Sequence, residues 1–294
     1  MKADNARRSG YVALVGRTNV GKSTFLNSIL ESKVAIVSDK PQTTRRKILG
    51  IKTTERGQAV FFDCPGIHKP RFKLNELMMK EVRDALHDAD LVLYFVDIGC
   101  PRQDEFVLSL LRESGQGVIL VINKIDKQGK ARVLEKINEY KDEFPWREIV
   151  PISALRGDNL DRIEDLIFLH LPEGEDIFPA GETTQQTENH YVGELVREAV
   201  LHWVQDELPF TTTLKVEEIQ DRGELVYVRA EIYVESRSQK KIVIGRQGGL
   251  LKRIGSEGRA ALEEYYGKKV FLDLFVKVVP GWRNSPQVIG DIFG

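Results

Sequence analysis

The sequence predicts an α/β domain built on a doubly wound, mostly parallel sheet with helices on both faces, followed by a smaller α+β domain. Three observations carry this. From residue 11 to about 172, short runs of nearly unbroken apolar character alternate with segments of helical periodicity. That is the rhythm of strands covered on both faces and the helices that connect them. A polar stretch containing Pro172, Gly174, Pro179 and Gly181 then breaks the pattern, as a linker would. Beyond it, two segments alternate polar and apolar residues in the manner of half-buried strands.

The elements follow in order. YVALV, QAVFFD, DLVLYFVD, GVILVIN and EIVPIS read as strands. KSTFLNSILE, LNELMMKEVRDALHDA, EFVLSLLRES, ARVLEKINEYKDEF and NLDRIEDLIFLHL read as the intervening helices. In the second of these, Leu77, Val82, Ala85 and Leu86 recur at spacings that place them on one helical face. The remaining segment orders as α-β-β-α-β: a helix VGELVREAVLHWVQDEL, strands TTLKVEEIQ and ELVYVRAEIYVE about a DRG turn, a helix LLKRIGSEGRAALEEYY and a strand VFLDLFVKVV. KKIVI reads as an apolar strand before that second helix. The expected division is a first domain over 1–172, a linker over 173–188 and a second domain over 189–294.

The composition bounds the function. In 294 residues, 41% apolar and 30% charged with a net charge of −1, the chain can bury two ordinary cores and is not uniformly basic. Its two cysteines, Cys64 and Cys100, form no CxxC pair, so neither a disulfide framework nor a zinc cluster is implied, and a reduced cytoplasmic protein is the plain reading. No run approaches a membrane span.

Residues 16–23 read GRTNVGKS and match G-x-x-x-x-G-K-[ST] between a strand and a helix. Gly16 and Gly21 let the backbone turn tightly, and the N–H groups of Arg17, Thr18, Asn19, Val20 and Thr24 can then surround an anion. The positive end of the following helix faces the same place. Lys22 supplies charge to β- and γ-phosphates and Ser23 a hydroxyl to Mg²⁺.

The base is read elsewhere. NKID, Asn123, Lys124, Ile125 and Asp126, follows a strand. A carboxylate there can accept from guanine's ring N–H and exocyclic amine together, a donor pair that adenine lacks. Lys124 can lie along the base and Asn123 can tie this loop to the phosphate loop. Ser153, Ala154 and Leu155 end the next strand and can offer backbone to the guanine oxygen. DCPG, Asp63, Cys64, Pro65 and Gly66, ends the strand QAVFF: Asp63 can hold Mg²⁺ and the Gly66 N–H the γ-phosphate. Either Thr44 or Thr43 can reach the same ion. Ile67 stands where many GTPases place a water-orienting glutamine, and His68 reads as a solvated loop side chain.

In the second domain GRQG, Gly245, Arg246, Gln247 and Gly248, precedes a basic helix. Arg237, Lys240, Lys241, Arg246, Lys252, Arg253 and Arg259 fall within 23 residues, against the single acid Glu257. A GxxG loop in this frame suits a type II KH domain, which clamps about four nucleotides of single-stranded RNA. Lys241, Ile244, Gly245, Arg246, Gln247, Gly248, Lys252 and Arg253 are the candidate RNA-binding residues.

The series GRTNVGKST, PQTTRR, DCPG, NKID and SAL, with the GxxG segment, resembles the Era-like family of P-loop GTPases over nearly the whole chain. Thr18 and Cys64 stand where that family usually carries Pro and Thr. The resemblance implies a GTP- and Mg²⁺-dependent switch with slow intrinsic hydrolysis, using Lys22, Asn19, Thr44 and Gly66. By analogy, Asn19 is a candidate to support a bound K⁺. It also implies the 3′ end of 16S ribosomal RNA and the 30S subunit as partners, and a cytoplasmic monomer with peripheral contact to the inner membrane. Two other readings stay open on the residues alone: a P-loop ATPase or kinase whose second domain is a lid, and a GTPase whose second domain binds protein.

Overall fold

The structure, a computed structural model, describes residues 7–101 and 105–293. They divide into two compact units. Among the described residues the first takes in those of 7–35, 43–69 and 77–185, and the second those of 36–42, 70–76 and 186–293.

The first unit holds strands β1 (Arg8–Gly16), β2 (Ile48–Thr54), β3 (Gly57–Asp63), β4 (Leu91–Asp97), β5 (Gly117–Asn123) and β6 (Glu148–Pro151). Helices α1 (Lys22–Leu30), α2 (Lys73–Asp88, of which residues from Leu77 on belong to this unit), α3 (Glu105–Ser114), α4 (Lys130–Tyr140) and α5 (Leu160–His170) are interspersed. The sheet order is β2-β3-β1-β4-β5-β6, with only the β2–β3 pair antiparallel. Successive residues of β1 explain its unbroken apolar run. Val12 and Leu14 join a core with Phe25, Phe61 and Phe95, while Ala13 and Val15 join another with Phe62, Tyr94 and Val82. A strand alternates its side chains between faces, so a sheet covered on both faces needs apolar residues at every position. Phe25 of α1 is fully buried, its ring centroid 5.1 Å from that of Phe95 and 6.2 Å from that of Phe61. The parallel strands β1, β3, β5 and β6 all release their chains at the carboxyl end of the sheet, which is where open α/β sheets bind ligands.

Three readings are revised in this unit. The segment ILGIKTT forms β2, an edge strand that the sequence reading passes over; its alternation is interrupted by Gly50, which makes room for Leu26 and Leu30. Leu77 is 44% exposed, whereas Leu74, Met78, Val82, Ala85 and Leu86 are buried; the buried stripe of α2 runs one position away from Leu77. Residues 173–185, read as a linker from composition, are tied to the first unit. Gln58 accepts from the Ile177 and Phe178 N–H groups at 2.9 and 2.8 Å, and the Ile51 N–H donates to the Thr183 carbonyl at 2.9 Å.

The second unit contains α6 (Glu188–Trp203), α7 (Leu208–Thr211), β7 (Thr213–Asp221), β8 (Leu225–Val234), α8 (Arg237–Ile244), α9 (Gly249–Tyr266), β9 (Lys269–Val278) and α10 (Pro286–Phe293). Its sheet runs β7-β8-β9, antiparallel between β7 and β8 and parallel between β8 and β9. Val196 and Val200 of α6 and Ile254 and Leu262 of α9 pack with Val228, Ala230 and Ile232 of β8. The apolar IVI before GRQG is the end of helix α8, not a strand. Ser236 caps that helix by accepting from the Gln239 N–H, and only Val243 of the three is buried, Ile242 being 51% exposed. Three apolar residues are too few for periodicity to separate helix from strand, and the cap decides. Segment 36–42 enters this unit where the Val37 N–H donates to Glu198 Oε1 at 2.9 Å. No helix among the described residues is long and apolar enough to cross a membrane.

Phe25→Ala removes a fully buried ring from the first core and is expected to cost about 3–5 kcal/mol. Urea unfolding should show the loss in the transition of the first unit, with that of the second unmoved.

Candidate nucleotide site and nucleic-acid loop

The GRTNVGKS segment forms the turn between β1 and α1. Gly21 caps α1 at φ +96°, and no side chain caps the first turn, so its N–H groups face outward as an anion site requires. A Cβ on Gly21 would lie 2.2 Å from Asn123 Nδ2; glycine is required by both the dihedral and the neighbour. Lys22 is buried, its Nζ donating to the Arg17 and Gly16 carbonyls at 3.0 and 3.4 Å. Burial pulls its pKa down and the nearby Asp63 carboxylate opposes that shift.

DCPG follows β3 and lies against this turn. The Ile67 N–H donates to the Gly16 carbonyl at 2.9 Å, and a Cβ on Gly66 would meet the Thr18 backbone at 2.8 Å. Asp63 is fully buried. Its Oδ2 accepts from Ser23 Oγ at 2.5 Å, and Ser23 Oγ lies 3.0 Å from Thr44 Oγ1. Asp63 Oδ1 is buried with no hydrogen-bond partner among the described residues. Burial raises the Asp63 pKa to about 6, against the opposing pull of Lys22. Two hydroxyls beside an unpartnered carboxylate oxygen are hard donors that suit a small divalent cation. Of the two candidate threonines, Thr44 is the one in contact with Ser23. Cys64 is fully buried, and burial drives its thiol pKa upward; Cys100 is exposed.

Ile67 is 2% exposed and packs in the core with Val15, Cys64 and Met79, so its side chain has no part in orienting water. His68 is not the solvated side chain the sequence suggests: its Nδ1 lies 2.6 Å from the Gly66 carbonyl oxygen and its Nε2 is buried. The ring therefore braces the DCPG turn.

The NKID loop is joined to its neighbours through one amide. Asn123, 2% exposed, donates from Nδ2 to the Val20 carbonyl at 2.8 Å. Its Oδ1 accepts from the Lys124 and Ala154 N–H groups at 2.7 and 3.0 Å. Asp126 Oδ1 accepts from Ser153 Oγ at 2.7 Å, and Leu155 stands 76% exposed. Lys124 Nζ donates to the Asn19 carbonyl at 2.5 Å and pairs with Asp97 at 2.7 Å. Sequence reasoning misses Asp97, although it ends β4 in register with Asn123. It also misses Ser28, whose hydroxyl donates to the Ala154 carbonyl at 2.7 Å. Neither belongs to a recognisable motif.

In the second unit, Arg246–Gly248 forms a single helical turn joining α8 to α9. Gly245 and Gly248 take φ +74° and +76°, and a Cβ on Gly245 would press on Leu250 at 2.7 Å. Lys241, Arg246, Gln247, Lys252 and Arg253 are exposed around this turn, with Ile244 half-buried beside it. None of these cations pairs with a carboxylate among the described residues, whereas Lys215, Lys268 and Lys277 of the same unit each do. A cluster of positive charge left unneutralised is the footprint of phosphate binding.

Asn123→Ala cuts three hydrogen bonds that join the loops after β1, β5 and β6. It should destabilise the first unit by about 2–3 kcal/mol, read by chemical denaturation, and should weaken guanine nucleotide binding by more than that loss of fold accounts for.

Comparison with known proteins agrees with this geometry. A family profile described as a 50S ribosome-binding GTPase matches residues 11–124, and one described as a KH domain matches residues 210–283. GTPase Era of Heliobacterium modesticaldum is 43% identical over 286 residues, 96% of this chain and 95% of that protein. The crystal structure of an Aquifex aeolicus Era point variant bound to GDP and AlF4⁻ superposes with a TM-score of 0.93 at 38% identity, covering 97% of this chain and 99% of that one. An Era complex with MgGDPNP and nucleotides 1506–1542 of 16S ribosomal RNA gives a TM-score of 0.94 at 39% identity, covering 98% and 99%. With a GRTNVGKS turn, an NKID loop and a KH domain in one chain, and kinship over almost all of its length, this protein belongs to the Era family of GTPases.

Proposed function

We propose that the chain is a GTP-controlled switch that binds the 3′ end of 16S ribosomal RNA and acts in assembly of the 30S subunit. The observation that carries this reading is the convergence of Lys22, Ser23, Thr44 and Asp63 at one end of the sheet, in the same chain as a GxxG turn ringed by unpaired cations. The Era relative bound to nucleotides 1506–1542 supplies the RNA class.

In this reading the α1 N-terminus and Lys22 hold the β- and γ-phosphates, and the Gly66 N–H meets the γ-phosphate. Asp126 reads guanine, held in place by Ser153, while Asn123 keeps the base loop and the phosphate loop in register. Ser23, Thr44 and Asp63 would hold Mg²⁺, which when bound draws charge from the phosphate oxygens. Water attacks the γ-phosphorus, the bond to the β,γ-bridging oxygen breaks, and the charge left on GDP is stabilised by Lys22 and the turn N–H groups. With Ile67 in the core, no side chain at that position orients the water, so intrinsic hydrolysis is slow. Asn19, in the left-handed region at φ +61°, would help hold a K⁺, which when bound would supply positive charge to the site.

Loss of the γ-phosphate releases Thr44 and Gly66. Thr44 lies two residues beyond segment 36–42, which belongs to the second unit, so the release reaches the unit that carries the GxxG turn. The reading also includes a cytoplasmic monomer in peripheral contact with the inner membrane, which rests on the family resemblance alone.

Asp126→Asn should weaken GDP binding about 10- to 100-fold and improve binding of xanthine nucleotides, measured by calorimetry. Hydrolysis should run faster in K⁺ than in Na⁺, with the difference lost in Asn19→Ala. Gly245→Asp combined with Gly248→Asp should abolish binding of a 16S 3′-end oligonucleotide and leave GTP hydrolysis intact; retained RNA affinity would favour a protein partner for this unit. RNA affinity should differ between the GDP and GDPNP complexes, and equality would remove the switch from the reading.

A further inference from the structure

We propose a second nucleotide subsite on the outer face of α9. There the base of a nucleotide flanking the clamped RNA segment stacks on Trp203, and its phosphate meets Lys252 and Arg253. The inference rests on the RNA-binding reading above and extends it beyond the GxxG turn.

The observation is a concavity of about 530 Å³ lined by Trp203, Gly249, Lys252, Arg253, Ser256 and Glu257. Five of these six lie along one side of α9, at the i, i+3, i+4, i+7 and i+8 spacings that share a helix face. That side is opposite the buried stripe of Ile254, Gly258 and Leu262. The sixth, Trp203, ends α6 and is half-buried.

Glu257 is the only acid in the basic run, and its carboxylate is already engaged. Oε2 accepts from the Trp203 indole N–H at 2.7 Å, and Oε1 lies 2.8 Å from His202 Nδ1. It therefore fixes the plane of the indole instead of neutralising the lysine and arginine. Neither Lys252 nor Arg253 has a carboxylate partner among the described residues, and the Arg253 guanidinium sits 5.3 Å from the Trp203 ring centroid. A held aromatic ring, a stacking guanidinium and an unpaired ammonium together make a platform for a base and its phosphate. An acidic peptide would use the cations but leave the oriented indole without a role.

The location connects this platform to the clamp. Gly249, the first residue of the lining, follows Gly248 directly, and Lys252 is about 5 Å further along the helix. An RNA strand leaving the GxxG turn in this direction meets Lys252 and then the indole. Stacking is tolerant of sequence, because every base presents a π-face. The subsite should therefore add affinity without adding a strict base preference.

The test uses the full chain with oligoribonucleotides cut from the 16S 3′ end. The shortest fragment that binds is found by fluorescence anisotropy, then lengthened one nucleotide at a time at each end. The readout is the ratio of affinities, extended over shortest. Wild type should gain about 5- to 100-fold from extension at one end. Trp203→Leu, which keeps an apolar side chain against the core, should reduce that ratio to near one while the shortest fragment binds as before. Trp203→Phe should keep part of it. Ser256→Glu, at an exposed position that leaves the fold untouched, should lower the ratio by placing a carboxylate in the concavity. An extension gain that survives in both Trp203→Leu and Ser256→Glu, or no gain in wild type at either end, overturns the subsite while leaving the clamp in place. Failure of every fragment to bind wild type overturns the RNA reading and the subsite together.

Discussion

The buried amide of Asn123 is the constraint on which the first unit's site depends. Three loops leave the sheet after β1, β5 and β6, and each brings one part of the proposed nucleotide site. Loops are ordinarily the most mobile parts of a fold. Here one 2%-exposed side chain donates to the first loop and accepts from the other two. Gly21 follows from this, since any side chain at that position would collide with the amide. Ser28 and Asp97 add outer braces, the one holding the Ala154 carbonyl and the other the Lys124 ammonium. A base and a triphosphate can then be recognised at a fixed separation.

That arrangement is held against an electrostatic penalty. Lys22 and Asp63 are both withdrawn from water, and burial moves each toward its neutral form. Each charge offsets part of the other's desolvation, but a carboxylate oxygen without a donor remains costly in a dry site. Active sites commonly keep such strain, and it is relieved when the ligand arrives with the opposite charge. The second unit follows the same logic at its surface, where seven cations crowd α8, the GRQG turn and α9 with their mutual repulsion left standing.

The fold class was legible because periodicity and burial coincide. The continuous apolar runs are strands because both sheet faces are covered, and the helices announced themselves through their stripes. The turn at residues 16–23 and the NKID loop could be singled out in the sequence because the chemistry proposed for them demands particular residues at particular spacings. Three things were not legible, for physical reasons. IVI in α8 is shorter than a helical period and was resolved only by the Ser236 cap. Leu77 sits at the margin of its stripe, where a shift of one residue turns a buried side chain outward. His68 and Asp97 act through contacts with the Gly66 carbonyl and Lys124, and pairings of that kind leave no trace in spacing.

The two thiols occupy opposite chemical environments. Cys64 lies sealed beneath the phosphate turn with its proton held tightly, whereas Cys100 faces solvent at the end of the turn after β4. Nucleophilic attack requires an accessible thiolate, so a maleimide dye or spin label added to the folded wild-type chain will attach at Cys100 alone. A reporter can thus be installed near the NKID loop, whose Asn123 carbonyl accepts from the Ile98 N–H two residues before Cys100, without first engineering a cysteine-free background.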